Sequence, residues 1–266
     1  YKSDRDKEPL ATLSCLSGMH ILTECFLCGC SHFMGVDSHT DCKEDNDMDD
    51  LEIELTPKQE NYQNLAETII NKFNTRGIEG YYCIDREEAN AKAKRFLTPD
   101  STISWGGSMT LSEIGLIDDL KESDDYIIYD RADAKTLEEK RELFGKIVTS
   151  DYYFMSSNAV TMDGELVNID GTGNRVACLC HGPENVILIV GMNKVVKNVE
   201  EAISRVRNIA APPNAVRLSK NTPCSKIGRC ADCQSDDCIC CQTVITRRSA
   251  IPGRIKVILV GEELGY

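Results

Sequence analysis

No stretch of eighteen apolar residues occurs in this 266-residue chain, so nothing in it has the length and character of a bilayer-crossing helix. Positive charge is scarce as well: 30 Lys and Arg stand against 43 Asp and Glu, a formal net charge of -13. With no basic stripe to displace counterions from a phosphate backbone, a nucleic-acid surface is excluded. A GxGxxG fingerprint in strand-to-helix context is missing, as is any flavin-attachment pattern, so the chain brings no evident hydride acceptor of its own. Internal repeats are absent too. Residues 11–22 form a short mixed stretch containing His20 and carry no clean signal-peptide pattern; a cytoplasmic location is expected.

Cysteine, by contrast, is plentiful, with 14 residues. In an exported chain this number would suggest disulfides, but in a reducing compartment clustered thiols point to ligation. The densest cluster is TPCSKIGRCADCQSDDCICCQ at 222–242, which holds Cys224, Cys230, Cys233, Cys238, Cys240 and Cys241. The two-residue gap between Cys230 and Cys233 lets both sulfurs turn to one ion, and Gly228 allows the tight approach. Cys238 and Cys240 compete to complete the shell, while adjacency keeps Cys240 and Cys241 from sharing one metal easily. Four thiolates suit tetrahedral zinc or a [4Fe-4S] cluster. Zinc ribbons use two CxxC knuckles and only one is present, so the irregular spacing leans toward iron–sulfur. Zinc and unliganded, oxidisable thiols stay open.

Acidity is concentrated at the front. The first sixty residues carry five Lys plus Arg against fourteen Asp plus Glu, which leaves about -4 for the rest. Residues 1–55 read as an acidic, cysteine-rich leader: a poorly packed segment, a fragment boundary or a separate small element. Its Cys25, Cys28, Cys30 and Cys42, with His20, His32 and His39 nearby, match no closed knuckle pair.

From residue 56 onward short apolar strands alternate with helices. Helical spacing recurs over 57–77, 86–97, the stretch TLSEIGLIDDL, and 134–146. Strands are expected near 78–84, 101–105, 126–129, 152–155, 176–179, 186–190 and 254–260, with a hairpin turning at Asp163 and Gly164. Residues 194–210 read as one long amphipathic helix closed by Pro212 and Pro213. The alternation predicts an α/β fold with a mainly parallel sheet covered on both faces, and places the 222–242 cysteine segment as an insertion at the sheet's edge.

Three stretches carry binding chemistry. In ISWGGSMTLSEIG, Gly106 and Gly107 let backbone amides approach an anion together with the Ser108 hydroxyl, and Thr110 with Glu113 has capping-box spacing. A purely structural turn needs the same glycines. In SSNAVTMDGELVNIDGTGNRV, residues Asn158, Glu165, Asn168, Asp170, Asn174 and Arg175 gather around Gly171 and Gly173 with more polar side chain than a turn requires, although Asx turns would use Asp170 and Asn174 without a ligand. Asn193 and Lys194 in GMNK follow another strand, and the lysine either neutralises a phosphate-like anion or is a solvated surface group. Loops at strand carboxyl ends are where ligands dock in this fold class.

Together, GGSMTLSEIG at 106–115, SNAVTMDGELVNIDGTGNRV at 157–176, GMNKVV at 191–196, RVRNIAAPPNAVRL at 205–218 and TPCSKIGRCADCQSDDCIC at 222–240 resemble the lactate-utilisation (LUD) domain family, across about residues 57–266. The resemblance implies a layered fold of the NagB, ribose-5-phosphate isomerase (RpiA) and CoA-transferase type. It implies a link to an iron–sulfur system oxidising L-lactate to pyruvate, with iron–sulfur oxidoreductase subunits as partners. It assigns Cys224, Cys230, Cys233 and Cys240 as the family's cysteine pattern, with Cys238 standing where a basic residue is expected and serving as the alternative fourth ligand. The domain then spans 56–266 and includes the cysteine segment at 222–242.

The expected function is an accessory or electron-transfer subunit in oxidation of L-lactate or a related 2-hydroxy acid, with a [4Fe-4S] cluster and a cleft for an anionic small molecule. A second expectation, drawn from fold relatives, is a CoA-transferase or isomerase in which Glu165 attacks an acyl or sugar-phosphate ligand as nucleophile or base. The third is a zinc-stabilised structural or regulatory interaction module.

Overall fold

Thr56 opens the first helix by a reciprocal cap: its hydroxyl accepts the Gln59 N–H at 3.3 Å while the Gln59 side chain accepts the Thr56 N–H at 3.0 Å. With Pro57 in the first turn, α1 runs Pro57–Thr75 and buries Ala66, Ile69 and Phe73. These coordinates belong to a computed structural model that describes residues 55–266; the leader's Cys25, Cys28, Cys30, Cys42, His20, His32 and His39 lie outside the described residues.

After α1 come β1 (Glu79–Cys83), α2 (Arg86–Lys94), β2 (Thr102–Trp105), α3 (Met109–Glu113), α4 (Leu116–Glu122), β3 (Ile127–Tyr129), α5 (Leu137–Ile147) and β4 (Tyr152–Met155). The second half contributes β5 (Ala159–Thr161), β6 (Leu166–Asp170), α6 (Asn174–Cys180), β7 (Asn185–Gly191), β8 (Val195–Val196), α7 (Val199–Arg205), α8 (Ala211–Arg217), α9 (Pro223–Ile227), β9 (Gln242–Thr246) and β10 (Ile255–Val260). Six strands form one wholly parallel sheet in the order β1-β10-β7-β4-β2-β3.

The two-residue period of a strand sorts this sheet's side chains into two cores. Val186, Leu188 and Val190 of β7 join Val257 and Leu259 of β10 and the α1 face, whereas Ile187, Ile189, Ile258 and Val260 face α2, α3 and α4. A fully buried side chain such as Ile189 contributes about 2 kcal/mol by leaving water. Central strands covered on both sides must be apolar at every position, which is why NVILIVG reads as a continuous run. The expected α/β architecture with a mainly parallel sheet is what the chain adopts.

A smaller sheet, β8-β5-β6-β9, lies beside it. Val160 and Leu166 pack into the first core, and Ala159, Val167 and Ile169 face Ala202, Val206 and Ala210. The cysteine segment leaves α8, forms the single turn of α9 and ends in β9, which pairs antiparallel with β6.

Three local expectations need correction. Residues 176–179 are helix, not strand: the Asp170 carboxylate accepts the Gly173 N–H at 2.7 Å, turning the chain into α6 with Val176 and Leu179 buried. A four-residue apolar run cannot distinguish the two periods. Residues 194–210 are not one helix, since Met192–Lys194 is a 3-10 turn and α7 starts at Val199 behind the Asn198 cap. Nor do Pro212 and Pro213 end the helix: a π turn at Val206–Ala210, closed by the Ala211 N–H to Val206 O, leads directly into α8, whose first turn holds both prolines. Finally, Ser108 rather than Thr110 caps α3, accepting the Leu111 N–H at 3.4 Å. Among the described residues, no helix is long and apolar enough to cross a membrane.

Candidate functional site

The carboxyl ends of β2, β3, β4 and β7 open onto one cavity of about 410 Å³. Gly107, Ser108 and Thr110 enter it after β2, Arg131 after β3, Ser156, Ser157 and Asn158 after β4, and Lys194 after β7. Asp170, Gly171, Asn174 and Arg175 form a further wall, and Ile239 and Cys240 of the cysteine segment complete it. This is the crevice that a parallel sheet presents to ligands.

Lys194 is the centre of the cavity's electrostatics. It is 4 % exposed, and its Nζ donates to Thr110 Oγ1 at 2.8 Å and Ser156 Oγ at 3.1 Å. Burial, followed by the charge of Arg205, pushes its ammonium down to about 7, with Glu113 opposing. Of the two readings of Lys194, the solvated surface group is therefore the one its burial rules out. Gly265 (φ 59°) lies so close that a side chain there would meet Thr110 Oγ1 at 2.6 Å and Lys194 Nζ at 3.1 Å. Only a residue lacking a side chain lets the backbone lie against this pair in that conformation.

Arg175, by contrast, is committed internally. Its Nε donates to Asp170 at 3.1 Å, one terminal nitrogen to Ser156 O and Asn168 Oδ1 at 3.2 and 2.6 Å, and the other to Asn158 Oδ1 and Ile169 O at 2.9 and 3.1 Å. Asn158 and Asn168 are drawn into the same network, Asn158 lining the cavity and Asn168 bracing Arg175 from outside it. Arg205 extends it by donating to Asn158 O at 2.7 Å and Asn193 O at 3.2 Å. Gly106 packs against the Arg175 side chain, and Asn168, Gly173, Asn193 and Glu165 do not line the cavity. Asn193 instead accepts the Leu264 N–H at 3.2 Å. Glu165 sits at the hairpin, bonded to Thr161 Oγ1 at 2.9 Å and 3.6 Å from Arg76.

Sequence reading missed Arg131, Ser156 and Ser157. Nothing local marks Arg131; only the parallel pairing of β3 with β2 brings it beside Gly107.

Of the thiols of the 222–242 segment, Cys240 lines this cavity. The Cys241 N–H donates to Asp170 O at 2.9 Å, tying the cysteine segment to the cleft wall. Burial, followed by the charge of Cys238, Cys224, Cys230 and Cys233, pushes the Cys240 thiol up to about 12. Among the described residues no three Cys, His, Asp or Glu side chains are drawn together closely enough to hold an ion as they stand. The donor chemistry nevertheless suits a thiophilic centre. Cys230 Sγ accepts the Asp232 N–H at 3.3 Å and Cys238 Sγ the Cys240 N–H at 3.4 Å. Cys233 accepts likewise from Ser235, a contact that lowers its thiol. Arg207 Nε adds a charged donor 3.3 Å from Cys230 Sγ. Amide and guanidinium donors aimed at sulfur stabilise thiolates and tune the centres they bind. Cys238 and Cys240 remain rivals for the fourth position, while the exposed Cys241 points its thiol at Cys238 O.

No curated protein matches the chain in sequence. Among solved structures, a DUF162 family protein from Deinococcus radiodurans is similar at 13% identity and a TM-score of 0.43, covering 75% of this chain and 98% of its own. eIF2B delta from Chaetomium thermophilum is similar at 17% identity and a TM-score of 0.31, covering 52% of this chain and 54% of its own. The model of the LUD domain matches residues 66–260, most of the 266-residue sequence, and the chain belongs to the LUD domain family.

Proposed function

We propose that this protein is an accessory or electron-transfer subunit in the oxidation of L-lactate or a related 2-hydroxy acid. Membership of the LUD domain family supports the lactate-utilisation setting. The observation that carries the reading is the double position of Cys240, which belongs to the thiol cluster and also lines the cavity holding Lys194 and Arg131. Cys224, Cys230, Cys233 and Cys240 would hold the metal centre, with Cys238 as the alternative fourth ligand. A bound [4Fe-4S] cluster supplies one-electron transfer.

The chain's own residues do the rest. Arg131 neutralises a carboxylate in the cavity, and the Thr110 and Ser156 hydroxyls hold the Lys194 amine in place at the same cavity. Ile169, Val206 and Ile239 line the apolar side and keep water from competing for these groups. Residues 56–266 form the functional domain behind an acidic leader, and iron–sulfur oxidoreductase subunits are the natural electron partners. A nucleophilic Glu165 draws no support from its position outside the cavity.

A zinc-stabilised interaction module is the second reading, favoured by the same thiol set. Anaerobic purification with iron, sulfide and zinc analysis separates the two. About four iron and four sulfide per chain, with broad absorption at about 400 nm, is the expected result. Zinc without sulfide would remove the electron-transfer role and leave the structural module.

A further inference from the structure

Lys194 differs from an ordinary anion-binding lysine in having no carboxylate ion pair among the described residues. Glu113, the carboxylate acting on it, is occupied in accepting the Gly265 N–H at 2.7 Å. What touches the amine is two hydroxyls, Thr110 Oγ1 at 2.8 Å and Ser156 Oγ at 3.1 Å, at the edge of a cavity of about 410 Å³. Desolvated amines beside other cations are the ones that add to carbonyls, because they hold a lone pair at neutral pH. Arg131 lines the same cavity and forms no ion pair among the described residues, so it is free to take a carboxylate.

We propose that Lys194 forms a reversible imine with a small 2-oxo acid whose carboxylate is held by Arg131. This rests on the reading of the cavity as a carboxylate site and extends it to the oxidised partner of a 2-hydroxy acid. The Nζ lone pair forms a bond to C2 of the oxo acid, and the carbonyl π electrons move to oxygen, which takes up a proton. Nitrogen then gives up its protons, oxygen departs as water and the C=N bond closes. Amine and carbonyl become imine and water, with no oxidant or reductant needed. The Thr110 and Ser156 hydroxyls stand where they can relay the proton from nitrogen to the departing oxygen. The site would thereby hold the product of a 2-hydroxy-acid oxidation until water releases it.

The test is reductive trapping on the full chain. Pyruvate is added with cyanoborohydride at neutral pH, followed by intact mass and peptide mapping, while calorimetry without reductant measures pyruvate and lactate binding. The expected result is a single adduct on the Lys194 peptide, exceeding labelling of any surface lysine by on the order of a hundredfold, since an ordinary lysine is almost wholly protonated at that pH. Arg131→Gln should weaken the labelling without moving it. If both acids bind and no adduct forms, or the label spreads evenly over surface lysines, the imine is overturned while the carboxylate site stands. If neither acid binds and nothing is trapped, both fall.

Discussion

The amine of Lys194 lies 2.8 Å from the hydroxyl of Thr110, across 84 positions of sequence, and the contact fastens the turn after β7 to the helix after β2. Because that amine is buried, its charge opposes folding. Below pH 7 the folded and unfolded states are both protonated, and the burial cost is present in full.

Between its folded value of about 7 and the ordinary 10.5, the folded state sheds the proton first, so stability rises with pH and the cost is gone above 10.5. Lys194→Met should therefore gain on the parent most at and below pH 7, with a pH-dependent part approaching about 5 kcal/mol that fades as pH climbs. Urea denaturation of both proteins across this window measures it; parallel curves would show that the amine is not desolvated.

Arg175→Lys keeps a charge but not the planar fork that serves Asp170, Asn158, Asn168 and two carbonyls. The loss should be about 3 kcal/mol, since buried acceptors are left without donors. Denaturant midpoints would read it directly. A change within experimental scatter would mean that the network is looser than its distances imply.

Serine substitutions divide the thiols. Cys224→Ser, Cys230→Ser and Cys233→Ser should each abolish most of the bound metal, and Cys241→Ser should spare it. Between Cys238→Ser and Cys240→Ser, greater metal loss is expected at Cys240, whose thiol feels the charge of Cys224, Cys230, Cys233 and Cys238. Metal analysis after anaerobic purification decides; equal retention in every variant would remove the centre from this segment.

Gly191→Ala tests the packing beneath Lys194. A side chain there would meet Asn193 Oδ1 at 2.5 Å, Leu264 N at 2.7 Å and Glu262 O at 2.8 Å. Backbone atoms cannot swing aside as a side-chain end can, so a loss of about 1–3 kcal/mol is expected, together with weaker carboxylate binding as Gly265 shifts. Thermal unfolding and pyruvate calorimetry report the two effects separately.

Much of this could be read along the chain. Thr56 with Gln59 marks the start of α1, and the unbroken run around Ile187 to Val190 marks a central strand, because capping and burial on both faces leave local traces. Residues 176–179 leave no such trace, since four apolar positions suit either period until Asp170 turns the chain. The thiol segment was conspicuous in composition, yet its contact with the cleft depends on β9 pairing with β6.

Sequence by itself determined the alternation of strand and helix, the parallel sheet, and the residue types available for chemistry, because these depend on periodicity and on neighbours a few positions away. Tertiary structure alone decided that Lys194 is buried between two hydroxyls, that Arg175 is consumed by its own wall, that Glu165 stands outside, and that Arg131 and Cys240 share the cavity. Burial and electrostatic environment are set by groups far away in the chain, and only the closed fold brings those groups together.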